Sequence, residues 1–391
     1  MLRFLKDYDW VLISAAALLT VFGILMVYSA SYPLAISNGQ APSHYAVRQL
    51  MWAGIAVFVF IVLLLFPYRK LKSLSPWLIF ASIIALLLVI LIGTEINGAQ
   101  RWISLGPLQV QPSEFVKLTV IIYLAQVYSQ KQSYIDKIGS GLAPPLGIVT
   151  IIFTFILLQP DLGTGASILL TSGVIVFLSG ARMLHIISIG LAGTGAVVFV
   201  AQLADYRMDR VVAFHDPFSV QMNEGLQLIQ SYIAIAHGGL TGTGLGESVQ
   251  KMSYLPEPHT DMILAIVAEE LGWLGIGLLL ACFLVVGVRG LLIGTRCRNM
   301  FGSLLALGIV FQLFVQFAFN ASSVVGLTPI TGITVPFVSY GGSSLLVSIA
   351  GIAILANISK ANARERREEE TYDDGEPEKA ASVPEESVRK V

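Results

Sequence analysis

The sequence predicts an all-α, polytopic membrane protein of about ten transmembrane helices. Of its 391 residues, 55% are hydrophobic and only 13% are charged, and the mean hydropathy is +0.75. Soluble domains carry about 25% charged residues, so most of this chain requires lipid as its solvent. Apolar runs of about 17 to 25 residues recur along the chain, and a helix of that length crosses roughly 30 Å of hydrocarbon. Membrane-spanning β-strands are shorter and alternate in polarity, which excludes a barrel.

The predicted spans follow these apolar runs in order. Their approximate bounds are 10–30, 48–66, 77–94, 114–128, 142–158, 164–179, 184–203, 262–288, 301–324 and 344–358. Arg3 and Lys6 precede the first run, as in a secretory signal, but the run is too long for a cleaved signal and predicts a retained helix. A large extracytoplasmic loop, 204–261, is predicted between the seventh and eighth spans.

Basic residues predict the orientation of the chain. Ten spans place both termini on one side, and that side collects Arg3, Lys6, Arg69, Lys70, Lys72, Lys131, Lys137, Arg182, Arg289, Arg296 and Arg298. The opposite side and its adjoining helix ends hold only Arg48, Arg101, Lys117, Arg207, Arg210 and Lys251. Because lysine and arginine favour cytoplasmic loops, both termini are predicted to be cytoplasmic.

The chain divides into a membrane domain, residues 1–360, and an acidic tail, residues 361–391. The tail is rich in Glu, Asp, Pro and Gly, which predicts disorder in the cytoplasm. Cys282 lies inside an apolar span and Cys297 lies in a short inner loop. These different surroundings argue against a disulfide, and two cysteines alone build no metal cluster.

Asp261 stands where the outer loop meets the eighth span, in the sequence PEPHTDMILAIVAEELG. Two interpretations fit this position. Thr260 or Asp261 is a good N-cap for the helix that follows. Alternatively, a carboxylate at the boundary between water and lipid is partly desolvated, which raises its pKa toward the range useful for a general base. The two roles are compatible.

Other polar features of the outer side have structural as well as functional interpretations. Residues 225–237 carry apolar positions at helical spacing and predict an amphipathic helix at the membrane interface. The glycine-rich stretch 238–246 fits either a flexible loop or close approach to an anion. Glu269 and Glu270 are costly inside an apolar helix, and such carboxylates more often pair with a cation or cap a neighbour than react.

A second polar cluster surrounds the start of the fourth span. The sequence PSE at 112–114 is typical of a helix start, and Glu114 and Lys117 lie three residues apart on one face of that helix. They predict a local ion pair, and Lys117 together with Arg101 also fits an anion-binding role near the membrane surface. Asp161 lies in a tight outer turn, QPDLGT, and the string PFVSYGGSS adds hydroxyl groups at the entrance to the last span.

Six motifs in order resemble the SEDS family of shape, elongation, division and sporulation proteins. They are NGAQRWISLG, QPSEFVKL, QPDLGT, GGLTGTGLGES, PEPHTDMILAIVAEELG and PITGITVPFVSYGGSSLL. The similarity covers roughly residues 8 to 358. Within the family, whose members include FtsW, RodA and SpoVE, the chain is most similar to the division branch, FtsW, of Gram-positive bacteria. The strings QSYIDK and GESVQKMSYLPEPHTD carry this finer similarity.

The resemblance implies a peptidoglycan glycosyltransferase that polymerises lipid II on the outer face of the cytoplasmic membrane during cell division. It implies work beside a class B penicillin-binding protein and other divisome membrane proteins, at the septum, with no nucleic acid partner. The family's catalytic aspartate corresponds to Asp261. The residues carried over to the outer cavity are Glu114, Lys117, Arg101, Asp161, Arg210, Ser231, His259 and Thr260.

The chemistry of such a substrate suits the outer boundary of the membrane. A polyprenyl tail needs lipid, a pyrophosphate needs cations and a sugar hydroxyl needs a base. Attack of the acceptor's sugar hydroxyl on the donor's anomeric carbon would release undecaprenyl pyrophosphate. Arg101, Lys117, Arg210 or a bound divalent cation, Mg²⁺ or Mn²⁺, would stabilise the pyrophosphate charge, and no organic cofactor is expected.

Two other classes of function fit ten helices with polar residues. A transporter that flips lipid II is the main alternative, but transporters place their sites near the membrane midplane between repeats. Here the ionisable residues concentrate on one side and no clear internal repeat is visible, which favours an enzyme. A scaffold that only recruits the penicillin-binding protein would need neither Asp261 nor the pair Glu114 and Lys117.

Overall fold

The computed structural model describes residues 7–96, 98–106, 108–132, 135, 137–202, 205–219 and 224–373. Its helices in chain order are α1 (Trp10–Ser37), α2 (His44–Leu65), α3 (Leu71–Ile92), α4 (Pro112–Gln130), α5 (Ala143–Leu158), α6 (Leu162–Leu178), α7 (Met183–Ala201), α8 (Asp205–His215), α9 (Glu224–Gly238), α10 (Ile263–Thr295), α11 (Met300–Val324) and α12 (Gly342–Asp373). A 3₁₀ turn, Tyr68–Lys70, precedes α3, and a π-helical turn, Ile138–Leu142, precedes α5. Every predicted span has a helical counterpart, and the basic residues Arg3 and Lys6 lie outside the described residues.

Seven of these helices are long and apolar enough to cross a membrane. They are α1, α2, α10, α11 and α12, together with α3 and α5, each of these two taken with the short turn that precedes it. Helices α6 and α7 are apolar but shorter, and α4 carries Glu114 and Lys117 in its first turns. The predicted fold class, a helical multi-pass membrane protein, is therefore confirmed, whereas the number of crossings stays a prediction.

Helices α11 and α12 form the centre of the helical bundle. About two thirds of the apolar stretch of α11 (67%) and more than three quarters of that of α12 (78%) are buried, against 22–39% in the other five candidate spans. Small residues allow the close approach. A Cβ added at Gly308 of α11 would lie 2.7 Å from Ile121 of α4 and 3.0 Å from Ile175 of α6, which is the packing expected where helices meet through glycine.

A small antiparallel sheet lies between α3 and α4 on the predicted outer side. Glu95 pairs with Gln100, and Ile103 pairs with Val110. The sequence indicated only a polar outer segment here, because strands this short show too little alternation to be recognised. The strands, in the spatial order β1-β2-β3, are β1 (Thr94–Ile96), β2 (Ala99–Leu105) and β3 (Leu108–Val110).

The long segment between α7 and α10 is partly helical. The predicted amphipathic helix, 225–237, is confirmed as a helix because it falls within α9, which packs against α10. Helix α8 precedes it and contacts α9. These two helices and the chain after them bring polar side chains over the start of α10.

The last helix continues past the predicted end of the membrane domain. A disordered tail was expected from residue 361, but α12 runs to Asp373, so that expectation is wrong for residues 361–373. Lys360 donates a hydrogen bond to the Tyr8 hydroxyl (Nζ to Oη, 2.7 Å), which ties this helix to the start of the chain. Residues 374–391 lie outside the described residues.

Charged groups explain why the acidic-basic stretch after residue 360 stays helical. Arg367 forms an ion pair with the buried carboxylate of Asp7, and Glu365 and Glu369 pair with Arg69 and Arg298 respectively. Alternating charges along one helix thus meet partners on the loops and chain end of the same side. Such pairs contribute modestly one by one, and a network of several is needed to hold an exposed helix.

Candidate active site

Asp261 lies immediately before α10, yet it does not cap that helix. Met262 occupies the N-cap position, and no side chain makes a capping hydrogen bond there, so the capping interpretation is wrong. The Asp261 carboxylate instead accepts a hydrogen bond from Thr260 (Oγ1 to Oδ1, 3.1 Å). Its backbone carbonyl accepts one from Asn320 of α11 (Nδ2 to O, 2.7 Å). Asp261 is therefore held at both its side chain and its backbone.

The surroundings of Asp261 favour its protonated form. Burial raises the pKa of the Asp261 carboxyl to about 6, and the neighbouring charge of Glu257 adds to the rise. The hydrogen bond from Thr260 and the positive charge of Arg210 act in the opposite direction. The side chain is only half-buried, so solvent and ligands reach it. A carboxylate with these properties is ionised at neutral pH and basic enough to take a proton.

His259 forms the wall beside this carboxylate. Its ring is 4% exposed and lies 4.7 Å from the ring centre of Tyr45 and 5.3 Å from that of Tyr340. Its carbonyl accepts a hydrogen bond from the backbone N–H of Tyr340 (2.8 Å). Burial lowers the pKa of His259, with an opposing contribution from Glu257, which favours the neutral imidazole. The aromatic contacts fix the chain just before Asp261.

Glu114 and Lys117 form the ion pair that their spacing predicted. Lys117 donates from Nζ to Glu114 Oε1 over 2.8 Å, and both side chains are almost completely buried. Lys117 also donates to Gln316 of α11 (Nζ to Oε1, 3.1 Å). A buried ion pair requires such additional hydrogen bonds, because removal of both charges from water is costly.

Sequence analysis did not identify Gln316 and Asn320, two side-chain amides of α11, as parts of the site. Gln316 accepts from Lys117, and its Nε2 donates to the Ser344 hydroxyl (3.1 Å) and to the Thr334 carbonyl (3.1 Å). Asn320, four residues later on the same face of the helix, donates to the Asp261 carbonyl. This face of α11 therefore connects the buried ion pair with the segment that carries Asp261.

Arg101 and Asp161 meet at the turn before α6. Arg101 donates from Nε to the Gln159 carbonyl (3.2 Å) and also bonds the Pro160 carbonyl, while its Nη1 lies 3.9 Å from Asp161 Oδ1. Asp161 is the N-cap of α6 and accepts from the Thr164 N–H (3.2 Å). Much of the hydrogen-bonding capacity of both side chains is thus used within the protein.

Arg210 and Ser231 occupy different places in the outer segment. Arg210 of α8 donates from Nη1 to the Ile330 carbonyl (3.2 Å), and its charge acts on Asp261. Ser231 of α9 is buried and donates to the Val324 carbonyl at the end of α11 (Oγ to O, 2.7 Å). Arg210 is therefore part of the electrostatic surroundings of Asp261, whereas Ser231 joins two helices.

Helix α10 is broken at Gly272, and the glycine-rich stretch closes the break. Gly272 has φ 62° and ψ −160°, and a Cβ there would lie 2.6 Å from the carbonyl carbon of Leu240. The N–H groups of Thr243 and Gly244 donate to the carbonyls of Glu269 and Glu270 (2.9 and 3.0 Å). The stretch is therefore ordered against α10 rather than a flexible loop, and these two N–H groups are already bonded within the protein. It replaces the hydrogen bonds that the broken helix lacks.

Glu269 and Glu270 have structural partners, as expected for carboxylates inside an apolar helix. Glu270 pairs with the buried Lys251 (Oε1 to Nζ, 2.5 Å) and accepts from Ser29 of α1 (2.6 Å). Glu269 accepts from the Val249 N–H (3.0 Å) and lies 3.0 Å from His237 Nδ1. These contacts anchor the segment 248–251 to the half of α10 that begins beside Asp261.

The carboxylates beside Asp261 do not form a metal site by themselves. Within the described ranges, no group of three or more His, Cys, Asp or Glu side chains could hold a metal ion. Chemically, the site offers a base at Asp261, positive charge from Arg210, and an enclosed ion pair at Glu114 and Lys117. That combination fits the transfer of a group to a hydroxyl at the membrane surface.

Comparisons of sequence relate this chain to known proteins. A family model described as cell cycle protein, and named for FtsW, RodA and SpoVE, matches residues 9–364. The chain is 41% identical to the probable peptidoglycan glycosyltransferase FtsW of Bacillus subtilis, covering 91% of this chain and 92% of that protein. It is 40% identical to the stage V sporulation protein E of the same organism, covering 90% of this chain and 97% of that protein.

Solved structures have the same fold. One similar chain comes from a study of structural coordination of polymerization and crosslinking by a peptidoglycan synthase complex, with a TM-score of 0.74 and 27% identity. It covers 91% of this chain and 98% of its own length. The rod shape determining protein RodA of Thermus thermophilus has a TM-score of 0.68 and 26% identity, covering 91% of this chain and 97% of its own.

Proposed function

This chain belongs to the cell cycle protein family of FtsW, RodA and SpoVE, and on that premise we propose that it is a peptidoglycan glycosyltransferase that acts in cell division. It is a multi-pass protein of the cytoplasmic membrane. The family match and the relatives both span most of the chain, so the proposal concerns the whole membrane domain. Its substrate in this proposal is lipid II, which is polymerised into glycan strands.

The proposed reaction is a glycosyl transfer between two lipid-linked sugars. The acceptor's hydroxyl oxygen attacks the anomeric carbon of the donor, and the bond from that carbon to the pyrophosphate oxygen breaks. Undecaprenyl pyrophosphate leaves with the electron pair. The hydroxyl proton must pass to a base, because an alcohol is a poor nucleophile until it loses its proton.

Asp261 is the proposed general base. The single observation that supports this role most is the state of its carboxylate, which is half-buried, does not cap α10, and has a pKa raised to about 6. A base is most effective when its pKa lies near the working pH, since it is then ionised yet retains affinity for a proton. Asn320 and Thr260 hold it in one position.

The other predicted site residues have supporting roles in this proposal. Arg210 supplies positive charge near Asp261 and is the best placed group to attract the pyrophosphate. Lys117 and Arg101 already bond protein groups, so we assign them to shaping the cavity and adding positive potential. Glu114, Asp161, His259, Thr260 and Ser231 position the surrounding segments.

In this proposal a divalent cation binds to the substrate and not to a site built by the protein alone. The described carboxylates give no protein-held site, and a pyrophosphate carries the oxygen ligands that Mg²⁺ and Mn²⁺ prefer. We therefore expect such an ion to arrive on the donor's pyrophosphate. The residues of this chain then need to bind and orient the complex, without a metal cage of their own.

We also propose a partner and an orientation. A class B penicillin-binding protein would crosslink the glycan that this protein makes, within a larger assembly of divisome membrane proteins at the septum. Both termini would be cytoplasmic and Asp261 would face outward, where the basic residues are fewer. This orientation places the base on the side where glycan strands are assembled.

The deciding experiment is polymerisation of purified lipid II by the purified protein. Reactions with and without a cognate class B penicillin-binding protein would be resolved as glycan ladders on a gel. Ladders that depend on this protein support the enzyme. Movement of lipid II across vesicle membranes without ladders would support the flippase. Binding of the penicillin-binding protein, without ladders and without movement of lipid II, would support a scaffold.

A further inference from the structure

A single hydroxyl group lies between two carboxylates at the candidate active site. Thr260 Oγ1 is 3.1 Å from Asp261 Oδ1 and 3.0 Å from Glu257 Oε2. We propose that Glu257 is a positioning residue that makes Asp261 a stronger base by its nearby negative charge and, through Thr260, receives the proton that Asp261 takes. The inference deepens the proposed function and rests on it, because it assigns the fate of the proton that Asp261 takes.

The backbone of Glu257 supports a role for its side chain. Glu257 has φ 49°, in the left-handed region that favours glycine or asparagine over glutamate. Its carbonyl accepts from the N–H groups of Thr260 and Met262 (both 3.3 Å), so the turn closes directly onto the start of α10. A turn alone would be better served by glycine. The strained conformation instead brings a carboxylate to the Thr260 hydroxyl.

The Thr260 hydroxyl cannot donate to both carboxylates at once while Glu257 and Asp261 are ionised. A hydroxyl has one hydrogen to donate, and here two carboxylates and the Glu257 carbonyl (3.2 Å) compete for it. When Asp261 gains a proton, it donates to Thr260 Oγ1, and Thr260 donates to Glu257 without competition from Asp261. The chain then has two bonds in place of one, and the repulsion between two negative charges is removed. Loss of the repulsion favours proton uptake by Asp261, while the hydrogen bond that Thr260 donates to the ionised carboxylate opposes it.

The same chain of atoms provides an exit for the proton. After transfer, the Asp261 carboxyl passes its proton to Thr260 Oγ1 while Thr260 passes its own proton to Glu257 Oε2. Asp261 returns to the carboxylate, Thr260 is again a neutral hydroxyl, and Glu257 has gained one proton. Glu257 is exposed, so it releases that proton to water even while substrate fills the side of Asp261 that faces the cavity.

Other charged groups near Asp261 do not provide this route. Arg210 of α8 lowers the pKa of Asp261 by its positive charge and cannot accept a proton. His259 is buried between Tyr45 and Tyr340, which leaves it no exposed path to water. Glu257 is the charged neighbour that raises the pKa of Asp261. The relay therefore runs from Asp261 through Thr260 to Glu257, and release of the proton from Glu257 to water carries it forward.

Polymerisation rates measured against pH separate the two parts of this inference. In the wild type, the rate is expected to fall as the pH drops through about 6, because Asp261 becomes protonated. Glu257→Gln should lower the plateau rate and move this fall to lower pH, with a smaller loss than the about 10²- to 10⁴-fold expected for losing the base itself. Thr260→Val should lower the rate without moving the fall to lower pH, and Thr260→Ser should restore the wild-type rate.

Glu247→Gln is the matched control, since Glu247 is an exposed glutamate of the same outer segment and should leave rate and profile unchanged. The double variant Glu257→Gln with Thr260→Val should lose less than the product of the two single losses, because both interrupt one chain. A wild-type rate and profile for Glu257→Gln would overturn the inference. A lower rate with an undisplaced profile would make Glu257 merely structural.

Infrared titration of the purified protein tests the inference without measuring polymerisation. The carboxyl C=O band that disappears in Asp261→Asn reports the ionisation of Asp261. Its midpoint should move to lower pH in Glu257→Gln and stay in place in Glu247→Gln. An unmoved midpoint refutes the inference even if polymerisation is observed. A moved midpoint in a protein that makes no glycan upholds the coupling of the two carboxylates and instead refutes the proposed function.

Discussion

Asn320 of α11 fixes the backbone of Asp261 and that of the loop before α12 at the same time. Its Nδ2 lies 2.7 Å from the carbonyl oxygen of Asp261 and 2.6 Å from that of Ile333. One turn earlier, Gln316 receives the hydrogen bond of Lys117. The proposed base and the buried ion pair are therefore attached to one rigid helix, and a change in either amide should alter the geometry of both.

Replacement of Asp261 by asparagine should abolish chemistry while leaving the fold intact. Asn has nearly the same shape and can still accept from Thr260, but it cannot take a proton at neutral pH. We expect lipid II polymerisation to fall about 10²- to 10⁴-fold. The unfolding temperature in detergent should change little, because Asp261 does not cap α10. Near-normal ladders from Asp261→Asn, in a preparation free of other glycosyltransferases, would end its assignment as the base.

Replacement of Asn320 by alanine should weaken both stability and catalysis. The change leaves the carbonyls of Asp261 and Ile333 without their donor, and a buried polar group without a partner costs about 1–3 kcal/mol. Thermal unfolding and polymerisation of the same preparation would measure the two effects. Ser323→Ala is the matched control, because its hydroxyl bonds only locally within α11 (2.8 Å to the Asn320 carbonyl). Equal behaviour of the two variants would contradict the role of Asn320.

Loss of one member of the buried ion pair should be more harmful than loss of both. Lys117→Ala strands the Glu114 carboxylate where water is scarce, at a cost of about 3–5 kcal/mol. The double variant Glu114→Gln with Lys117→Met should recover much of the stability but not the activity. Exchange of the two charges should restore stability and activity only in part. Gln316 uses its Nε2 for Ser344 and Thr334, so its Oε1 faces position 117 and suits a donor there rather than a carboxylate. Full activity and normal membrane abundance of Lys117→Ala would remove this pair from the site.

Cysteine labelling of intact cells should test the predicted orientation. Ser253 is exposed in the long outer segment and Glu370 is exposed near the end of α12, so each would be replaced by cysteine in turn. A membrane-impermeant reagent should label position 253 from outside and position 370 only after lysis. The native Cys282 and Cys297 are buried free thiols and give little background. Labelling of position 253 from the cytoplasmic side alone would reverse the topology.

The helices were predictable because lipid imposes a long and simple pattern on the sequence. The eighth and ninth predicted spans, 262–288 and 301–324, begin within one residue of α10 and α11. The pair Glu114 and Lys117 was also predictable, because its two members lie three residues apart on one helix.

Contacts between distant parts of the chain left no comparable pattern. Gln316 and Asn320 are ordinary polar residues in an apolar run, and their partners lie at Lys117 and in the loop with Asp261. Lys251 was counted only as a basic residue of the outer side, and its burial against Glu270 was not predicted, because only the fold shows which charge is enclosed. Glu257 was overlooked because a hydroxyl bridge depends on the turn geometry of residues 257–261.

The break in α10 has a consequence for how the protein enters the membrane. The carbonyls of Glu269 and Glu270 are satisfied by the N–H groups of Thr243 and Gly244, which lie earlier in the chain. In hydrocarbon, an unsatisfied backbone group costs several kcal/mol, so the part of α10 before Gly272 depends on this earlier segment for its place at the membrane. With the predicted orientation, we expect the preceding segment to be exported first during synthesis, and the part of α10 before Gly272 to settle once that segment has folded against it.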